Sequence, residues 1–144
     1  MADRRDPAAK VVNLLHRSLF TATKGKLGGK VMGMEAVVLT TTGRKSGEKR
    51  QTMLTAPIVE GDKVYLVASW GGGPKHPMWY LNLQADPNVQ ITRNGTDTNN
   101  MVGRVLTTEE KATVWPRITE TYKGYAGYQE KTDRDIPVIE FSPA

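Results

Sequence analysis

The chain has 144 residues, 20 basic and 15 acidic side chains, no cysteine and two histidines, which suits one soluble domain large enough to bury a core. Without cysteine, thiolate zinc sites, iron–sulfur clusters, disulfide scaffolds and Cys nucleophiles are excluded, and His16 with His76 cannot build a three-His metal site. Residues 1–50 carry 11 basic against 4 acidic side chains and residues 51–144 carry 9 against 11, so the basic excess lies in the first third and points to an anionic partner.

Val11, Val12, Leu15 and Leu19 fall at helical spacing among polar residues, which predicts an amphipathic helix from Ala9 to about Lys24. Residues 1–34 thus read as a basic N-terminal helix and linker, and residues 35–144 as the main domain. With Lys10, Arg17, Lys24, Lys26 and Lys30 around it, that helix could rest on anionic lipid or pack on the domain. No apolar stretch approaches the roughly 20 residues needed to span a bilayer, and Met1–Lys10 lacks the apolar region of a secretory signal, so a cytoplasmic protein is expected.

Glu35–Thr42 is a β-branched run that predicts a strand, ended by the glycine-bracketed turn Gly43-Arg-Lys-Ser-Gly47. A second strand is expected over Lys49–Val59, weakened at Pro57, and a third, buried on both faces, over Val64–Ser69. Gly71–Pro74 reads as a loop and Pro77 as the first position of a helix through Ala85. Val89–Arg93 and Asp97–Leu106 flank Asn94-Gly95, a strong hairpin signal. Thr107-Thr-Glu-Glu110 fits a capping box for a helix toward Tyr122, kinked at Pro116. Gly124 and Gly127 then suggest a mobile segment, and Ile136–Phe141 a last strand. Six strands, mostly in local hairpins, make an α+β domain with a mainly antiparallel sheet or barrel.

Chemistry first shows at Gly43–Arg50, where Arg44, Lys45, Lys49 and Arg50 bracket a turn with exposed backbone N–H groups. That suits a phosphate or several carboxylates, although a solvated basic turn reads equally well. The spacing of a phosphate-binding Gly-x-x-x-x-Gly-Lys-Ser/Thr loop is absent. Gly71–Gly73 lacks both the third glycine and the β-α-β setting of a dinucleotide fingerprint, and Ser69 sits in no Gly-x-Ser-x-Gly elbow. Trp70, Trp79 and Tyr80 cluster near that loop, and Tyr122, Tyr125 and Tyr128 recur every three residues. Such side chains can wall a planar ligand or pack a core. His76, before Pro77, is expected to cap the helix. A nucleic-acid-binding domain lacks any aromatic or helix-turn-helix signature here.

Several separated motifs in order resemble the deazaflavin (coenzyme F420)-dependent nitroreductase family of actinobacteria. They are Leu39-Thr-Thr-Thr-Gly-Arg-Lys-Ser-Gly47 with Arg50, Val67-Ala-Ser69, His76-Pro-Met-Trp-Tyr-Leu-Asn82, Trp115-Pro116, the three tyrosines, Thr132-Asp-Arg134 and Ile136-Pro137. The resemblance spans residues 35–141 and implies a split β-barrel with coenzyme F420 as cofactor. It implies that Arg44, Lys45, Ser46 and Arg50 hold the coenzyme's phosphate and carboxylate tail. Gln51, Thr52, Met53, Leu54 and Thr55 would line the deazaflavin, with Val67, Ala68, Ser69, Trp70, Met78, Trp79, Tyr80, Leu81 and Asn82 opposite. Tyr125 and Ser69 take the catalytic roles, and Tyr122, Tyr128 and Thr55 face the substrate. Trp70 departs from the lysine common among relatives, and Thr55 from a tyrosine carried by some. The implied activity is hydride transfer from reduced F420 to a quinone, activated alkene or nitroaromatic, by a monomer or homodimer. A non-catalytic F420 or flavin carrier is the alternative.

Overall fold

A computed structural model describes residues 30–31 and 34–144. The predicted N-terminal helix lies outside the described residues. The described residues form eight strands: β1 (Lys30–Val31), β2 (Met34–Thr42), β3 (Lys49–Ala56), β4 (Ile58–Glu60), β5 (Lys63–Val67), β6 (Asn88–Arg93), β7 (Asp97–Val105) and β8 (Val138–Pro143). Three helices accompany them: α1 (Met78–Ala85), α2 (Thr108–Thr121) and α3 (Gly124–Lys131).

Every pairing is antiparallel. From β3 the order runs through β2, β6, β7, β8 and β5 to β4, and β1 pairs the start of β2. The expected six strands become eight for two reasons. The two-residue β1 adds one, and Lys49–Val59 divides at Pro57, which has no N–H to donate to a ladder. The division has a topological consequence. β3 pairs β2 at one end of the sheet and β4 pairs β5 at the other, so one stretch of chain bent at Pro57 joins both ends. The sheet therefore curls on itself.

Inside the curl lie Val37, Leu39, Leu66, Ile91, Ile139 and Phe141, closed over by Trp79, Tyr80 and Leu83 of α1. The alternate residues Val67 and Val138 face outward and meet Ile118 of α2 and Tyr125 of α3 in a second core. Strand alternation thus builds two cores from one sheet. The hairpin expected at Asn94-Gly95 forms with both residues at positive φ, 54° and 78°, as its turn requires.

The capping box also forms. Thr107 Oγ1 accepts from Glu110 N at 3.2 Å and Glu110 Oε1 accepts from Thr107 N at 2.9 Å, an arrangement worth about 1 kcal/mol. Arg104 grips the same carboxylate through both terminal nitrogens, at 2.8 and 2.9 Å, and holds its pKa down to about 2. The segment expected to be mobile after Tyr122 is instead helix α3. Its tyrosines recur at helical spacing and turn toward the second core, whose packing outweighs the low helix propensity of two glycines.

Candidate functional site

The turn between β2 and β3 is tied to α1 through one buried amide. Asn82 Oδ1 accepts from the backbone N–H of Arg44 at 3.2 Å and from its guanidinium at 3.0 Å. Asn82 Nδ2 donates to Thr41 Oγ1 at 3.4 Å. Asn82 therefore anchors the turn, a use that the sequence did not reveal. Ser46 Oγ accepts from Glu48 N at 3.1 Å and from Arg50 Nη2 at 3.5 Å, and Arg50 also meets Glu48 at 3.4 Å. Lys49 donates to Thr42 Oγ1. Lys45 is exposed and has no ion pair among the described residues. The result is a rigid backbone turn carrying exposed positive charge.

β3 leads from that turn to the tyrosines. The register places Thr52 opposite Leu39 and Leu54 opposite Val37, so both face the inner core. Gln51, Met53 and Thr55 take the other face, opposite Thr40, Val38 and Ala36. The run 51–55 thus divides by strand alternation, and only three of its five side chains share the outer surface. Thr55 Oγ1 lies 3.5 Å from Tyr125 Oη, which also approaches Met34 Sδ at 3.7 Å. Arg50 and Thr55 are about 16 Å apart along the strand.

Tyr125 is the innermost of the three tyrosines, at 5% exposure. Its ring meets Tyr122 edge-on at 5.2 Å and Tyr128 at 6.0 Å, and the Tyr122 and Tyr128 hydroxyls are 3.3 Å apart. Burial raises the Tyr125 pKa, so its phenol holds its proton at neutral pH.

Trp79 and Tyr80 are buried in the inner core, with Leu81 packed against it, and Gln84 donates to Tyr80 Oη at 3.1 Å. Met78 is half-buried at the start of the same helix. Val67 and Ala68 enter different cores and Ser69 is buried. The chain then makes a left-handed turn. Trp70, Gly71 and Gly72 have φ of 43°, 61° and 80°, and the Trp70 side chain is 47% exposed. His76 does not cap α1 as expected. Its Nδ1 takes a hydrogen bond from Arg134 at 3.1 Å, and its ring lies 4.7 Å from Tyr80.

Together these parts offer positive charge at one end of a strand and an aromatic, hydroxyl-bearing cluster at the other. Among the described residues no group of His, Asp and Glu could hold a metal ion. No helix there is long and apolar enough to cross a membrane. This donor set fits an elongated ligand with an anionic tail and a flat ring.

The family model described as F420H(2)-dependent quinone reductase matches residues 14–142. The chain belongs to this family. It is 34% identical over 129 residues to an F420H(2)-dependent quinone reductase of Mycobacterium tuberculosis strain H37Rv, covering 87% of this chain and 85% of that one. A solved F420-H2 dependent reductase, FDR-A, superposes with a TM-score of 0.66 at 42% identity, over 74% of this chain and 93% of its own. A second solved structure, described as a domain-swapped dimer, gives 0.69 at 39% identity over 95% and 100%. The curled antiparallel sheet fits the split-barrel fold of these F420-dependent relatives.

Proposed function

We propose that this chain reduces quinones with hydride from reduced coenzyme F420, and that the hairpin β2–β3, the Ser69–Gly73 turn and helix α3 form the site. The match to the F420H(2)-dependent quinone reductase family carries this reading. When bound, the deazaflavin supplies the hydride chemistry, and the protein supplies orientation and charge.

Lys45 and Arg50, with Arg44 held by Asn82, bind the phosphate and carboxylate tail. Gln51, Met53 and Thr55 present the ring-facing side of β3, while Ser69 and Trp70 approach from the other side. Tyr122 and Tyr128 wall the acceptor. Reduction of a quinone to its hydroquinone consumes one hydride and one proton; in this reading Tyr125 Oη gives that proton and is reprotonated from water.

Asn82→Ala is expected to raise the coenzyme dissociation constant about tenfold. It leaves the Arg44 N–H without its acceptor and lets the turn move. Fluorescence titration with F420 measures this, and an unchanged constant removes the amide from the argument.

Purified protein titrated with F420, with FMN in parallel, and assayed with menadione tests the function itself. Micromolar or tighter F420 binding with turnover is expected. Binding of FMN alone keeps the fold and overturns the mechanism. Tight F420 binding without turnover across quinones, enones and nitroaromatics makes the protein a carrier.

A further inference from the structure

Arg134 occupies the centre of the turn that follows β5. Its Nε donates to Gly73 O at 2.9 Å, Nη1 to Ala68 O at 3.1 Å and to His76 Nδ1 at 3.1 Å, and Nη2 to Ser69 O at 2.7 Å. One planar fork therefore collects three carbonyls and an imidazole from nine consecutive residues, 68–76. A lysine could not span them, because its donors radiate from a single atom.

The turn needs such a holder. Three successive residues have positive φ, and the first is a tryptophan, whose bulky side chain disfavours that conformation. Ser69 O accepts from Arg134 and also from Gly72 N at 2.9 Å. Arg134 is itself held in place. Its carbonyl accepts from Gln129 Nε2 at 2.8 Å, and its N–H donates to Thr132 Oγ1 at 3.3 Å. Gln129 Oε1 in turn accepts from Lys111 Nζ and Ile136 N. The chain of contacts runs from α2 and α3 through one guanidinium to the residues before α1.

A second observation sets Arg134 apart from an ordinary structural clamp. Among the described residues no carboxylate pairs with it; every acceptor around it is neutral. Half-buried cations normally have an acidic partner. Because arginine only donates, His76 Nδ1 must accept, and the imidazole proton sits on Nε2. Burial and the guanidinium both lower the His76 pKa, keeping that ring neutral.

We infer that Arg134 is a positioning residue for the reaction, fixing Ser69 and the left-handed turn that begins at Trp70 against α3 and leaving its charge unneutralised beside them. This rests on the F420-dependent reading above.

The test compares wild type with Arg134→Ala, Arg134→Lys and Arg134→Gln. In Arg134→Ala, kcat with menadione falls at least tenfold, while F420 affinity measured by fluorescence changes less than threefold, because the tail is held at the distant basic turn. Added guanidinium restores part of kcat, and Arg134→Lys and Arg134→Gln recover less than wild type. Independently of turnover, NMR titration of His76 in the coenzyme-free protein moves its pKa upward in Arg134→Ala. Arg134 is the charged group facing that ring, and Tyr80 is the aromatic against it.

A kcat within twofold of wild type overturns the inference. So does a parallel loss of melting temperature, F420 affinity and kcat that guanidinium does not rescue. If Arg134→Ala does not fold, the same readings on Arg134→Lys decide the matter. Failure of the wild type to bind F420 or reduce any quinone instead overturns the underlying function, while the His76 titration still reports on the contact.

Discussion

Gly72→Ala is expected to destabilise the protein by about 2–4 kcal/mol, whereas Gly71→Ala costs about 1–2 kcal/mol. A Cβ on Gly72 would lie 2.6 Å from Tyr128 O, 2.9 Å from Tyr128 Cα and 3.1 Å from Lys131 Cβ. Two of these atoms are helix backbone and cannot rotate away, so α3 would have to separate from the turn. At Gly71 an added Cβ meets nothing within 4 Å, and only its φ of 61° opposes substitution. Urea unfolding of both variants separates the two contributions. Equal losses would mean that backbone strain alone matters and that the close packing of turn on helix does not. Because the turn carries Ser69 and Trp70 and the helix carries Tyr125 and Tyr128, Gly72→Ala should also reduce turnover more than Gly71→Ala.

Tyr125→Phe is expected to lower kcat for quinone reduction about a hundredfold while changing stability by no more than about 1 kcal/mol. The ring, which packs among Ile58, Ile118, Ile136 and Val138, is retained, and the hydroxyl loses only its long contacts to Thr55 and Met34. What disappears is the protonated phenol beside β3. Burial raises its pKa above the ordinary 10.0, so the protonated form persists through neutral pH and beyond. The kcat profile should accordingly show no falling limb from Tyr125 at or below pH 10. Stopped-flow turnover with menadione, beside F420 titration and thermal melting, gives all three readings. A kcat within twofold of wild type would assign the proton to water alone. Ser69→Ala in the same assay checks polarisation of the acceptor, with a smaller loss expected because that hydroxyl has no hydrogen-bond partner among the described residues to orient it.

Local physics was legible in the amino-acid order. The capping box at Thr107–Glu110, the Asn94-Gly95 turn and the β-branched strand over Glu35–Thr42 each depend on neighbours within a few residues. The basic turn was legible for the same reason, since its charges are contiguous. Ordered motifs made the family visible and supplied the coenzyme, which no single residue pattern could have named.

Other features depended on contacts remote along the chain. Pro57 marked a weak point in a strand, but only the pairing of β3 with β2 and β4 with β5 shows that the bend joins both ends of the sheet. The glycines around Tyr125 argued against a helix until the second core supplied the burial that stabilises α3. Asn82 and Arg134 act across 38 and as many as 66 residues of sequence. The sequence by itself determined the local elements, the positive charge of the basic turn and the family. Which amide anchors the basic turn, which side of β3 meets the tyrosines and which arginine holds the left-handed turn were decided by the tertiary structure, because hydrogen bonds and packing act through space between groups that chain order leaves far apart.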